Sequence, residues 1–284
     1  MPDPSGTADP GGIADPRDPA SPPDTASLAD PAAVAGFVAA RARVLAAIDA
    51  ACARSGRDPS GVTLVAVSKT VAPGRLRAAV AAGLVTFGEN RVQEAEGKVT
   101  AVAGARWHLE GPLQANKARR AVALFDVIES VDTLSLAVRL DRLAGQLRPG
   151  TPLPILLEVN VDADPAKAGF EPGVLADALP ALSALPNLEL RGLMTVGRLV
   201  ATAEEARSTF RGLRTLAAGL RAAHPLLGPA LSMGMSDDYA VAVEEGATIV
   251  RVGRALFGER ADRLADDPAA ARMRGRTPGT PGRA

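Results

Sequence analysis

Lys69 ends the run Val62-Thr63-Leu64-Val65-Ala66-Val67-Ser68, whose β-branched and apolar residues read as a buried central strand. A lysine taken out of water there favours its ammonium form less, and the neutral amine attacks carbonyl carbon. That is Schiff-base chemistry. The plainer reading of the same residue is an amine that snorkels to solvent, and position alone does not separate the two. Near the other end of the chain, Ser236 and Gly253 supply what a phosphate group requires. Ser236 offers a hydroxyl at the start of a helix expected over 237–245, and Gly253 offers backbone N–H groups with no side chain in the way. Ser236 is also a natural N-cap for that helix, and the two roles are compatible. Arg251 alternates with Val250 and Val252, so if the valines meet surrounding helices the arginine points the other way, into an interior. A buried arginine needs a partner, which is either the ring nitrogen of a bound pyridine or a carboxylate such as Glu89 or Glu129.

The elements that position these residues repeat. Short β-branched or apolar runs occur at Val62–Ser68, Val85–Gly88, Arg106–Gly111, Val127–Val131, Ile155–Asn160, Leu190–Val196, Ala230–Met233 and Thr248–Gly253. Helical periodicity fills the gaps at Gly74–Ala82, Arg91–Val102, Gln114–Leu124, Leu134–Leu147, Gly173–Leu185, Ala203–Ala222 and Asp237–Glu245, and one further helix, Ala32–Ser55, precedes the first strand. Eight strands with a helix between each pair predict an α/β fold, a single-domain (β/α)8 TIM barrel with an extra N-terminal helix. The alternative is an open doubly wound sheet, whose mark is a glycine-rich loop after the first strand. Here that position reads Lys69-Thr70-Val71-Ala72-Pro73. In a barrel the active site lies at the C-terminal strand ends, and polar residues gather there: Lys69, Glu89-Asn90, Gln114 with Asn116 and Lys117, Glu129-Ser130, Asn160, Thr195, Ser236, Arg251.

Composition narrows the partners. The 284 residues are 47% hydrophobic, and 32 basic residues balance 32 acidic ones, so no global field steers the chain toward nucleic acid or an anionic membrane. Cys52, the one cysteine, lies among small apolar residues and reads as a buried inert thiol in a reducing cytoplasm. Residues 1–30 are rich in Pro, Asp, Ala, Gly and Ser, without the basic and apolar regions of a signal peptide, and are expected to be a disordered extension. The barrel is expected over 31–262 and a second disordered tail over 263–284. The apolar windows 121–128 and 153–161 are too short to span a bilayer, so a soluble, cytoplasmic protein is expected.

Lys69, the Phe87-Gly88-Glu89-Asn90-Arg91-Val92-Gln93-Glu94 run, Trp107-His108 with Leu113-Gln114-Ala115-Asn116-Lys117, Leu231-Ser232-Met233-Gly234-Met235-Ser236, and Val250-Arg251-Val252-Gly253-Arg254-Ala255-Leu256-Phe257-Gly258 together resemble one family. It is the YggS/PROSC group of pyridoxal phosphate (PLP) homeostasis proteins, and the likeness runs over roughly 32–260. The resemblance implies a barrel similar to the fold-type III PLP barrel, the N-terminal half of alanine racemase. It matches Lys69 to the PLP lysine and Arg251 to the arginine facing the pyridine nitrogen. Ser236, Gly253 and the backbone amide of Arg254 match the phosphate cradle, and Asn90 and Met233 match positions near the ring. Asn160, Lys167 and Gly169 fit a segment after the fifth strand and read as pocket rim or structural. One departure is Glu110, a carboxylate where relatives usually carry an apolar residue before the glycine.

A PLP racemase needs acid or base groups on both faces of the cofactor. This chain has one tyrosine, Tyr239, inside the helix after Ser236, and two histidines, His108 on the third strand and His224 in a loop before Pro225. An arginine against the ring nitrogen also leaves that nitrogen unprotonated and weakens the ring as an electron sink. The expectation is a monomer that is not an enzyme, holds PLP on Lys69, and stores, buffers or delivers it, with PLP-dependent apoenzymes as the receivers. The alternatives are a slow amino-acid racemase and a class I aldolase-like barrel acting on a sugar phosphate through the same lysine.

Overall fold

A computed structural model describes residues 30–198 and 200–258. The eight strands are β1 (Thr63–Val67), β2 (Thr86–Glu89), β3 (Arg106–Leu109), β4 (Val127–Val131), β5 (Leu153–Glu158), β6 (Leu188–Met194), β7 (Ala230–Ser232) and β8 (Ile249–Val252). All neighbours pair in parallel, and β1 pairs with β8, so the sheet closes in chain order. The helices are α1 (Pro31–Ser55), α2 (Pro73–Ala81), α3 (Val92–Val99), α4 (Ala118–Leu124), α5 (Leu134–Leu147), α6 (Pro172–Ser183), α7 (Arg207–Ala223), α8 (Tyr239–Glu244) and the short α9 (Arg254–Phe257). The barrel expected from the alternation is therefore the fold. The expected termini, 1–29 of the extension and everything after 258, lie outside the described residues.

The period-2 alternation of each strand sorts its side chains between two cores. Ala66, Phe87, Trp107, Leu109, Ile128, Ile155, Val250 and Val252 pack outward in the large cluster shared with the helices. Val65, Leu156, Met194 and Ile249 form a small separate plug inside the barrel. The phase is kept along β1, so Val65 and Val67 face in and Lys69 follows them. On β8 the valines do meet the helices, and Arg251, only 4% exposed, faces in. The pairing of β6 with β5 slips at one place. Ile155 faces Leu190 but Leu156 faces Gly192, which makes Arg191 an extra residue. Gly192 there has φ +150, and a Cβ would come 2.0 Å from the Ala230 carbonyl oxygen.

The N-terminal helix starts as its sequence dictates. Asp30 caps it by accepting from the Ala32 amide at 3.0 Å, Pro31 fills the first turn, and Gly56 ends it at φ +65. Its 25 residues include a stretch with mean hydropathy 1.5, long and apolar enough by composition alone to cross a membrane. The two windows singled out from the sequence missed it, because its apolarity comes largely from alanine. In the fold Phe37, Ala40, Val44, Ile48 and Cys52 form a buried stripe, and Phe37 meets Phe257 edge-on at 5.5 Å. Cys52 is fully buried, and burial raises its thiol pKa, as expected of an inert cysteine.

Candidate functional site

The C-terminal strand ends surround a cleft of about 550 Å³. Val67, Lys69 and Thr70 come from the end of β1, Asn90 and Arg91 from the β2–α3 turn with Glu94 from the first turn of α3, Met235, Ser236 and Asp237 from the β7–α8 turn, and Arg251 and Gly253 from the end of β8 with Arg254 at the start of α9. Six of the seven residues assigned to a cofactor from the sequence are thus on one cavity wall. The exception is Met233, which is fully buried in the outer core while Met235, two residues on, takes a place on the wall. A second hollow, about 460 Å³ between Leu113 and α5, contains none of the assigned residues.

Lys69 itself corrects one expectation. It is exposed at the mouth, so the burial that was to desolvate its amine is not found. What the fold supplies is a fixed backbone. Ser68 is fully buried, and Thr70 sits in the left-handed region at φ 65, a genuine outlier for a β-branched residue. The Thr70 amide donates to Glu94 Oε2 at 3.3 Å, and its hydroxyl is buried without a partner. Glu89, one of the two carboxylates offered for Arg251, points outward instead. It lies against Lys98 of α3 at 2.6 Å and accepts from the Ser68 hydroxyl at 2.6 Å.

The proposed cradle also needs revision. Ser236 does not cap a helix: α8 begins at Tyr239 with Asp238 at the cap position, so no long helix dipole reaches Ser236. Asp238 accepts from the Met235 amide at 2.6 Å and so shapes the turn. The Gly253 amide donates to Ser236 Oγ at 3.2 Å, which brings the two cradle residues into contact. Arg254 pairs with Asp237 at the rim.

Arg251 reaches the interior through neutral groups. Its guanidinium donates to Ser232 Oγ at 2.6 Å and to the Thr195 carbonyl at 2.8 Å, and Ser232 donates to Glu129 Oε2 at 2.5 Å. Glu129 Oε1 lies 2.5 Å from His108 Nδ1. Burial works against the Glu129 anion, but His108, Arg251 and Ser232 outweigh it and hold the carboxyl below its usual range. Glu110 behaves in the opposite way. Burial first, then the charge of Glu129, push it well above the usual carboxylate range against the pull of Arg251 and Lys69. Its Oε1 is buried without a partner, and the carboxyl occupies the space above Gly88, where a Cβ would come 2.0 Å from Oε1. Glu158, on β5, is pushed up to about 7 by burial and by Asp132, with Arg251 opposing. The unexpected Glu110 therefore faces inward, where burial and the Glu129 charge disfavour its ionised form.

Of the two readings offered for the segment after β5, pocket rim or structural, its contacts are those of a self-braced turn, and none of its residues lines the cleft. Asn160 folds back on Asp164 through two hydrogen bonds, Lys167 reaches the Val196 carbonyl at 3.0 Å, and Gly169 at φ +115 leaves room for the Asn160 amide. Gln114, Asn116 and Lys117 do not line the cleft. His224 is half-buried at the end of α7 rather than exposed, and Tyr239 is off the cleft wall. Glu158, Glu94 and Lys98 were missed by sequence reasoning. Their signals were present: Glu158 is two residues before Asn160 on an inward phase, and Glu94 and Lys98 share one helix face at a spacing of four.

A family profile described as alanine racemase, N-terminal domain, matches residues 40–261. The pyridoxal phosphate homeostasis protein of Pseudomonas aeruginosa is 44% identical over 224 residues, 77% of this chain and 94% of that one. The chain belongs to the pyridoxal phosphate homeostasis protein family. The member from Aquifex aeolicus is 40% identical over 220 residues, 77% of this chain and 96% of that one. Among solved structures, PipY of Synechococcus elongatus with PLP bound is 45% identical, has a TM-score of 0.69, and is matched over 78% of this chain and 100% of its own. The family likeness read from the motifs and the barrel built from them therefore agree.

Proposed function

We propose that this chain holds PLP as a Schiff base on Lys69 and takes part in intracellular PLP homeostasis by storing, buffering or delivering the cofactor, without robust turnover. The observation that carries the reading is the single cleft in which Lys69 shares a wall with Arg251 and the Ser236–Gly253 contact. The residues fit the group. Asn90 Oδ1 and Thr70 Oγ1 are buried at this wall without partners, a cost of about 1–3 kcal/mol each that a polar ligand removes. Ser236 Oγ and the Gly253 and Arg254 amides would take the phosphate, and Arg251, with one guanidinium edge held by Ser232 and Thr195, would face the ring. PLP supplies an aldehyde that masks itself on an amine. The protein acts as a cytoplasmic monomer in this reading, and PLP-dependent apoenzymes receive the cofactor.

The test is the absorbance of protein purified after PLP loading, followed by borohydride reduction and mapping of the adduct. Wild type is expected to carry a reduced pyridoxyl phosphate on Lys69, and Lys69→Ala to carry none. A colourless wild type, or Lys69→Ala that binds PLP equally well, overturns the reading. A slow racemase is the rival, and Glu94 on the cleft wall is the acidic group that favours it. Solvent deuterium appearing at the α-carbon of amino acids, and lost with Lys69→Ala, would establish it; a negative over a broad panel leaves the homeostasis role.

A further inference from the structure

Two residues flank Lys69, and both are gripped from the same helix. Before it, the Ser68 carbonyl accepts from Lys98 Nζ at 2.8 Å, and the same ammonium lies 2.6 Å from Glu89 Oε1. Ser68 Oγ completes the triangle by donating to Glu89 Oε1 at 2.6 Å. After it, the strained Thr70 amide donates to Glu94 Oε2. Lys98 and Glu94 are one turn apart on α3, and Glu89 directly precedes Asn90 on the cleft wall. Ser68, Glu89 and Lys98 are all buried, with Lys98 7% exposed. A buried ion pair is weak evidence of stabilisation, since well-packed apolar residues often serve the fold as well. Its retention at this place calls for another reason.

We infer that Lys98 and Glu94 are positioning residues for Lys69: α3 clamps the backbone on both sides of the lysine, so that an amine exposed to solvent still meets the aldehyde in one orientation. The inference rests on the Schiff-base reading above. In the step concerned, the neutral Lys69 amine adds to the aldehyde carbon, a C=N bond replaces C=O, and the oxygen leaves as water with the two amine protons. Nothing in the clamp touches the reacting atoms; its contribution is orientation, where a misplacement of about 1 Å costs on the order of a hundredfold.

The experiment measures the rate of Schiff-base formation after mixing the full chain with PLP, read by absorbance and by the borohydride-trapped fraction. The main variant combines Lys98→Met with Glu89→Leu, which exchanges the ion pair for an apolar pair. Val92→Ala, buried on the same helix and contributing no side-chain hydrogen bond to residues 68–70, serves as the control for general loosening. The double variant is expected to melt no lower than the control and to form the adduct at least about tenfold more slowly than either wild type or control. Formation at the wild-type rate, or slowing no greater than in Val92→Ala, overturns the inference. If the double variant melts below the control, Glu94→Ala decides, because its side chain is part-exposed: a several-fold slower rate at wild-type melting temperature supports the clamp, and an unchanged rate removes it. Wild type that forms no adduct defeats the cofactor reading and this inference with it, whereas normal wild type with equally fast variants defeats the positioning role alone.

Discussion

Glu158 should make the stability of this barrel fall as pH rises through neutrality. Its side chain is 6% exposed, its Oε2 has no hydrogen-bond partner, and burial with the nearby Asp132 charge pushes its pKa from 4.5 to about 7. An acid whose pKa is higher folded than unfolded contributes stability that is complete below the unfolded value and lost as pH passes the folded one. The window is therefore about pH 4.5 to about 7. At about 1.4 kcal/mol per pH unit, a rise of this size corresponds to about 3 kcal/mol. Glu158→Gln keeps the shape and polarity of the protonated acid and cannot ionise. Urea unfolding of wild type and Glu158→Gln at intervals between pH 5 and pH 8 measures the effect. The variant is expected to gain on wild type by about 2.5 kcal/mol between pH 5 and pH 8, because part of the loss is already in place at the lower limit. Because Glu110 remains in both proteins, its own titration largely cancels in the difference. Parallel stability curves across this range would refute the reasoning, since the carboxyl would then be hydrated or paired in the folded protein.

The remaining predictions concern the barrel floor and the cradle. Gly88→Ala is expected to destabilise by about 1–3 kcal/mol because its Cβ would meet the Glu110 carboxyl, and Glu110→Ala in the same chain should return much of that loss. Additive effects in a denaturant double-mutant cycle would show that the two do not touch. Ser236→Ala should weaken PLP binding about tenfold or more, the value of one hydrogen bond to a charged group, while the PLP-free protein loses no more than the Gly253–Ser236 hydrogen bond, about 1 kcal/mol. Titration calorimetry on PLP-free protein reads the first and a thermal melt the second.

Much of the architecture was legible because its causes are local. Strand alternation and helical period depend on residues a few positions apart, and they locate all eight strands and the inward aim of Arg251. The expected Ala203–Ala222 helix resolves into a short 3-10 turn over Ala203–Ala206 followed by α7, a difference confined to its first turn. The expected Asp237–Glu245 helix starts two residues late. The Asp238 carboxylate satisfies the Met235 amide, which makes residues 235–238 a turn and removes Ser236 from the cap position.

The sequence by itself determined the eight-fold repeat, the lysine after β1, the inward arginine and the glycine at the end of β8, since each follows from period and residue type. Only the closed barrel decided depth and partnership. Lys69 is exposed although its strand is buried, because the cleft opens where β1 ends. Glu89 turns outward to Lys98 while Glu110, Glu129 and Glu158 turn inward, because strand phase assigns the face but closure assigns the neighbour. His108 and Glu129 come from consecutive strands, and Ser232 and Arg251 join them from the far side of the chain. That encounter across the barrel interior holds the Glu129 carboxyl below its usual range against the cost of its burial, an outcome no residue carries in its own segment.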